Sequence, residues 1–409
     1  MFNQLKGLRT NENLLLAIDA LFSSKSIFFS TFLMAFMVRT SVDDSPVEYI
    51  VIRLLGFIGV AILAIGLLRF IKKHTLAAWR LGALFSIIRI TVIITLHTHT
   101  DIFPYVLALV YAIESTLFWR PGMFYMISEV RNDRRLRFHS FRQIFTNSIR
   151  IIMPLFLGLT ISESGYISAA YFILAISIVQ FLLSILFRPS RDLNFPFHHV
   201  DVTFRKIVGS QPLRRVLYLQ FFRGIIVSGS AFMIIPPLMV YKYTNSDFEL
   251  GLFASIGAVI SIVLILIFQR VSRSRDFARA FLWLVGPLAI VFSAALYVYP
   301  STITAIALYV YFVAVIEGFF DMFVMSRVQR SLKKQLGSNS FVLEIESVSE
   351  VFVCIGRAVS LTALLFVVIA SGVTYLPLFA TINALLIIPV VILSRSKKKP
   401  PMEIEGPIP

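Results

Sequence analysis

The chain has 409 residues, 57% hydrophobic and only 15% charged, with a formal net charge of +16 and a mean hydropathy of +0.83. A soluble domain carries about 25% charged residues, so this composition excludes a water-solvated globule and points to an integral membrane protein. A single cysteine, Cys354, excludes a disulfide within one chain and any multi-cysteine metal cluster.

The opening MFNQLKGLRTNE is weakly basic, like the start of a signal peptide. The apolar stretch after it contains Asp19 and Lys25 and no small-x-small cleavage site, which predicts a retained first span. A span needs about 20 mostly apolar residues to cross roughly 30 Å of hydrocarbon. On that criterion hydropathy and breakers predict twelve spans, near 12–38, 47–71, 77–97, 103–128, 141–162, 166–187, 214–241, 249–269, 277–298, 302–326, 341–370 and 373–394. Turn signals separate many of them, among them VDDSP at 42–46, TDIFP at 100–104, SESG at 162–165 and YTNSD at 243–247.

The basic residues then fix an orientation. Alternate loops and both termini hold most of the 38 Lys and Arg, for example Arg69, Lys72, Lys73 and Arg80, and the five arginines of EVRNDRRLRFHSFR at 129–142. The opposite loops hold only Arg39 and Lys242. Translocated loops avoid Lys and Arg, so the basic set marks the cytoplasm and places both termini there. The basic block at 129–142 is therefore expected to be a cytoplasmic loop. Nucleic-acid binding is not expected, because no soluble domain presents the charges.

The longest cytoplasmic connection, residues 188–213, divides the chain. The expected organisation is a six-helix half at 1–187, the central loop at 188–213, a second six-helix half at 214–395 and a cytoplasmic tail at 396–409. The halves share a rhythm, since spans 4 and 10 each end in a basic loop, RNDRRLRFHS and RVQRSLKKQLGSNS. Such repetition is the sequence trace of two halves related by an axis along the membrane normal.

This organisation resembles that of the major facilitator superfamily of secondary transporters, over essentially residues 10–395. EVRNDRRLRFHSFRQIFTNSIRIIMPLFLG is similar to the family's passage from span 4 into span 5, where proton-exchanging members carry a Gly-Pro-x-x-Gly-Gly element. Here that element reads MPLFLG: Pro154 and Gly158 match, and the other two glycines are replaced. In the loop between spans 2 and 3 the family usually carries Gly-x-x-x-Asp-x-x-Gly-Arg, which helps latch the inward side. GLLRFIKKHTLAAW at 66–79 keeps Gly66 and the basic residues and lacks the Asp. The resemblance implies an all-α membrane fold, alternating access of the two halves, and no enzymatic activity.

Ionisable residues inside spans carry the sharper functional information, because a charge near a helix centre costs roughly 2.5–3.5 kcal/mol on insertion scales. Glu114 lies roughly 17 Å along span 4, near the midplane, by the helical rise. A carboxyl there can take up and release a proton as water access alternates, or sit in a fixed ion pair with Arg89 or another arginine. Asp19 lies about 10 Å into span 1. Lys25, six positions on, is off the same helical face and is not expected to neutralise it directly. In the resembled family, acidic residues of spans 1 and 4 often face the central cavity, so Asp19 and Glu114 are the proton-coupling candidates.

Glu317 and Asp321 stand i,i+4 in span 10 with Gly318 between them. In span 11, Glu346, Glu350 and Arg357 fall nearly on one stripe, and Glu350 and Arg357 can bridge to other spans or pair through water. Arg89, Arg120, Arg223, Glu317, Asp321, Glu350 and Arg357 are thus candidates for substrate binding or gating. The arginines serve either as counter-ions to buried carboxylates or as partners for anionic groups. Pro154, Gly158 and Gly318 are expected to permit helix bending or close packing. Of the histidines, His97 and His99 fall at the outer edge of span 3 and the other four in cytoplasmic segments, so neither a metal nor a cofactor is expected.

The expected function is proton-coupled export of a hydrophobic or amphipathic small molecule by a monomer of a plasma membrane, such as a bacterial cytoplasmic membrane. The 39 phenylalanines suit such a substrate. One alternative is movement of a lipid or lipid-linked metabolite; another is a non-transporting sensor or scaffold. An enzyme would need a convergent nucleophile and base, and the spans contain no Ser-His or His-Asp constellation.

Overall fold

The computed structural model describes residues 10–41, 45–97, 102–130, 135–189, 204–205, 209, 211–226, 229–271, 275–299, 302–317, 342–372 and 374–387. Gly318, Asp321, most of the 188–213 connection and the tail from 396 lie outside them. Among the described residues every regular element is helical.

In chain order the helices are α1 (Thr10–Ile27), a π-turn (Phe28–Phe32), α2 (Leu33–Thr40), α3 (Val47–Gly66), α4 (Leu68–Lys73), α5 (Thr75–Leu96), α6 (Phe103–Ser128), α7 (Arg135–Ser164) and α8 (Tyr166–Leu186). There follow α9 (Gln211–Ile226), α10 (Ala231–Thr244), α11 (Asp247–Val271), α12 (Arg275–Val298), α13 (Ile303–Glu317), α14 (Val342–Ser371) and α15 (Leu376–Leu385). Among the described residues eight helical stretches are long and apolar enough to cross a bilayer, α1 through α2 counting as one, and α9 through α10 as another. Three shorter apolar helices lie at Pro287–Val298, Ile303–Glu317 and Leu376–Leu385.

Both faces of these helices are apolar. Phe28, Phe32, Tyr49, Phe57 and Ile235 are buried, yet Phe366 is 70% exposed and Ile62, Leu109, Leu186 and Ile369 are exposed too. A soluble bundle hides its large apolar side chains along one stripe of each helix. Apolar residues all round suit hydrocarbon outside and packing inside.

Breaks in regularity sit where the sequence supplies them. Pro121, Pro154, Pro236, Pro237 and Pro287 lie inside helices, where a missing N–H loosens the ladder. Asn245 closes α10 in the left-handed conformation at φ 49°, its N–H donating to the Tyr241 carbonyl at 2.7 Å. The end of α8 is capped from α5: Arg80 donates to the carbonyls of Ser184 (3.2 Å), Ile185 (2.9 Å) and Phe187 (3.2 Å).

Two long-range packings join the first and second parts of the chain: α7 lies along α11, and α3 lies along α14. At the first, the backbones meet through glycine. A Cβ on Gly158 would stand 2.7 Å from the Asp247 carbonyl oxygen, and one on Gly251 would collide with the Pro154 carbonyl. Pro154 and Gly158 therefore stand where α7 touches α11 most closely. A second close approach, between Gly224 of α9 and Gly356 of α14, fastens α14 on its other side.

Candidate functional site

The expected proton-coupling carboxylate lies in a three-helix knot. Glu114 of α6 is 3% exposed; its Oε2 accepts from Arg89 Nη1 of α5 at 3.1 Å, and its Oε1 stands 3.8 Å from Lys25 Nζ of α1. Lys25 also donates to Ser86 Oγ of α5 and stands 5.7 Å and 5.8 Å from the ring centroids of Phe22 and Phe118. Of the two possibilities that the residues left open for Glu114, the pair with Arg89 is present, with Lys25 added.

Arg89 is held in place by aromatic faces. Its guanidinium carbon is 3.3 Å from the Phe29 ring centroid and 4.7 Å from that of Tyr111. Phe29 belongs to the π-turn, a widening often found at functional sites, and its carbonyl accepts the Tyr49 hydroxyl at 3.3 Å. No pattern in the sequence announces this turn.

Asp19 is 5% exposed and pairs not with Lys25 but with Arg142 of α7. The pair is two-pronged: Arg142 Nε donates to Oδ2 at 2.8 Å and Nη2 to Oδ1 at 3.1 Å. Arg142 had counted only as part of a cytoplasmic basic block.

The second cluster lies on α14. Arg357 Nη1 donates to Glu350 Oε1 at 3.0 Å, so the two residues, seven apart, pair directly along their own helix. Cys354 adds a longer contact to Glu350 Oε1 at 3.6 Å. Arg357 lies over Phe57 of α3 at 4.6 Å, which ties α14 to the first part of the chain. Arg120, 4% exposed, donates to the Ala64 carbonyl at 2.8 Å, with Glu346 and Glu350 near enough to act on it electrostatically. Arg223 of α9 reaches Gln220 Oε1 at 3.5 Å and faces the same two glutamates. Glu317 is half-buried at the end of α13.

Two further ion pairs join the parts of the chain at opposite ends of the bundle. Arg39, at the end of α2, pairs with Asp247, at the start of α11, and donates to the Tyr241 hydroxyl at 3.0 Å. Lys72, in α4, pairs with Glu344, near the start of α14. Arg39 precedes α3 and Lys72 follows it, so the two pairs are about 30 Å apart along a 20-residue helix. Asp247 and Glu344 are buried. Charge counting assigned Arg39 and Lys72 to loops, and pairings this far apart in sequence leave no local signal. Near Lys72 a cleft of about 570 Å³ opens, lined among others by Lys73, His74 and Arg80.

The sequence profile of the Major Facilitator Superfamily matches residues 117–345. No curated protein matches the sequence. Among solved structures, the crystal structure of a bacterial homologue of the iron transporter ferroportin, in its inward-facing state, superposes with a TM-score of 0.70 at 15% identity, over 94% of this chain and 99% of that one. A bacterial homologue of the iron transporter ferroportin in its outward-facing state gives 0.64 at 15% identity, over 94% and 99%. A POT family transporter in complex with 5-aminolevulinic acid gives 0.64 at 12% identity, over 95% and 96%. At such identities the likeness is one of fold.

Proposed function

The chain belongs to the Major Facilitator Superfamily, and from that premise we propose that it is a secondary active transporter that moves an amphipathic small molecule by alternating access, coupled to protons. In this reading twelve spans form two six-helix halves with both termini in the cytoplasm of a bacterial-type cell. The packings α7–α11 and α3–α14 support the arrangement, since they join span 5 to 8 and span 2 to 11, pairs that exchange under a shift of six.

One observation carries the reading: inter-half ion pairs at opposite ends of the bundle, Arg39–Asp247 and Lys72–Glu344. Both are made in this structure, which in this reading stands between the outward- and inward-open forms. Parting one pair opens one face while the other stays shut. Glu114 and Asp19 are the proton-coupling carboxylates in this reading. Each is held by basic side chains of other helices, Glu114 by Arg89 and Lys25, Asp19 by Arg142. A helix movement that withdraws those cations frees the carboxylate for a proton, which links protonation to the open face.

The test uses purified protein in proteoliposomes under an imposed pH gradient, with naphthalene-1-sulfonate and 1-naphthylmethylamine as probes. Solute flux driven by the gradient is expected for the wild type. Glu114→Gln, folded by its thermal transition, is expected to lose at least about tenfold of the driven rate, a barrier increase of about 1.4 kcal/mol. Wild-type flux from that variant would remove Glu114 from coupling.

A further inference from the structure

Five helical elements bring three guanidinium groups around two rings. Arg53 of α3 lies 4.9 Å from the Phe57 ring centroid and 5.6 Å from that of Tyr111. Arg89 shares the Tyr111 ring at 4.7 Å and covers Phe29 of the π-turn at 3.3 Å. Arg357 of α14 shares the Phe57 ring at 4.6 Å. The order Arg89, Tyr111, Arg53, Phe57, Arg357 therefore runs from one half to the other. By the helical rise these residues lie between about 9 and 21 Å from the expected outer ends of their helices.

One cation of this group lacks a counter-charge among the described residues. Arg89 pairs with Glu114, Arg357 with Glu350, and Asp19 is held by Arg142. Arg53 forms no ion pair and no hydrogen bond among the described residues, and its Nε is buried without an acceptor. Arg89, which acts on it electrostatically, keeps a buried Nε in the same condition. A cation at this depth without a counter-charge, as Arg53 is among the described residues, destabilises the empty protein. Ring faces shield the flat sides of the guanidinium groups but offer nothing to N–H donors at their edges.

We infer that the Arg53–Arg89–Arg357 cluster binds the oxyanion of an amphipathic organic anion (a carboxylate, sulfonate or phosphate ester), whose apolar body lies against Phe29, Phe57 and Tyr111. An oxyanion supplies several acceptor lone pairs in a fork that guanidinium matches, and charge-assisted bonds of this kind are the strong ones. Because α3, α5 and α14 all contribute, such an anion touches both halves at once. The inference rests on the transporter reading and names its substrate class. It sets the site apart from one for organic cations, which three clustered guanidinium groups repel. It also sets it apart from a bare metal ion, since no group of three His, Cys, Asp or Glu gathers among the described residues.

Thermal unfolding of the full chain in an uncharged detergent tests this. The additives are naphthalene-1-sulfonate, 1-naphthylmethylamine, inorganic phosphate and dihexanoyl phosphatidylglycerol. The sulfonate or the phosphatidylglycerol is expected to raise Tm in a saturable way, and the naphthylmethylamine is not. A rise with the lipid alone identifies a lipid headgroup as the source of the anion; a rise with the sulfonate identifies a free solute. Arg53→Gln is expected to unfold at or above the wild-type temperature without additive and to lose the shift, while Arg53→Lys keeps part of it. No shift with any anion, or an equal shift in Arg53→Gln, overturns the inference. Flux in the proteoliposome assay separates the two readings: anion binding without any flux sinks alternating access and leaves the site, whereas flux of the amine alone sinks the site and leaves the transporter.

Discussion

Glu114 shows what a single residue reveals and what it withholds. Its depth in span 4 and its cost in hydrocarbon are both legible in the sequence, and the structure finds it buried among Arg89, Lys25 and Ser86. The partners were not legible. Lys25 and Ser86 are 61 positions apart, and Arg89 and Glu114 are 25 apart, so only helix packing decides which cation meets which acid. Asp19 and Arg142 make the same point at 123 positions. Breaking that pair strands one charge, with Asp19 buried and the Arg142 side chain 27% exposed. Asp19→Asn should lower stability by about 1–2 kcal/mol, less than a fully buried pair because water still reaches the arginine. A double-mutant cycle with Arg142→Gln, read by thermal unfolding, checks it; additive losses would mean that the pair contributes nothing.

At the scale of elements, hydropathy foretold an all-helical chain because polar backbone must be satisfied internally in a bilayer, and eight helical stretches among the described residues are long and apolar enough to cross one. It could not show the π-turn at Phe28–Phe32 or the contact between α7 and α11, which depend on neighbours rather than on local composition. MPLFLG marks that contact: Pro154 and Gly158 meet Gly251 and the Asp247 carbonyl. Gly158→Val should part the two helices and destabilise the fold by about 1–3 kcal/mol, the usual range for overpacking. A Tm equal to the wild type would show that the contact yields freely. Capping offers a milder test. Arg80→Ala removes three donors from the carbonyls ending α8 and should lower stability by about 1 kcal/mol, seen as faster hydrogen exchange at residues 183–187.

On the scale of the whole molecule, the basic bias of alternate loops predicts orientation, and the packings of α7 on α11 and α3 on α14 join the first and second parts of the chain. What composition could not supply is the pairing of Arg39 with Asp247 and of Lys72 with Glu344, since each joins residues more than 200 positions apart. Reporter tags inserted after Asp44 and after Asp133 should appear on opposite sides of the membrane; finding both on one side contradicts the orientation.

Alternating access makes its most direct demand on the two ion pairs at the ends of the bundle. In a Cys354→Ala background, Arg39→Cys with Asp247→Cys closes one end when bridged by a bis-maleimide, and Lys72→Cys with Glu344→Cys closes the other. Each bridge alone should abolish flux in proteoliposomes, and the unbridged double-cysteine proteins should keep it. Undiminished flux with either bridge in place would contradict the account.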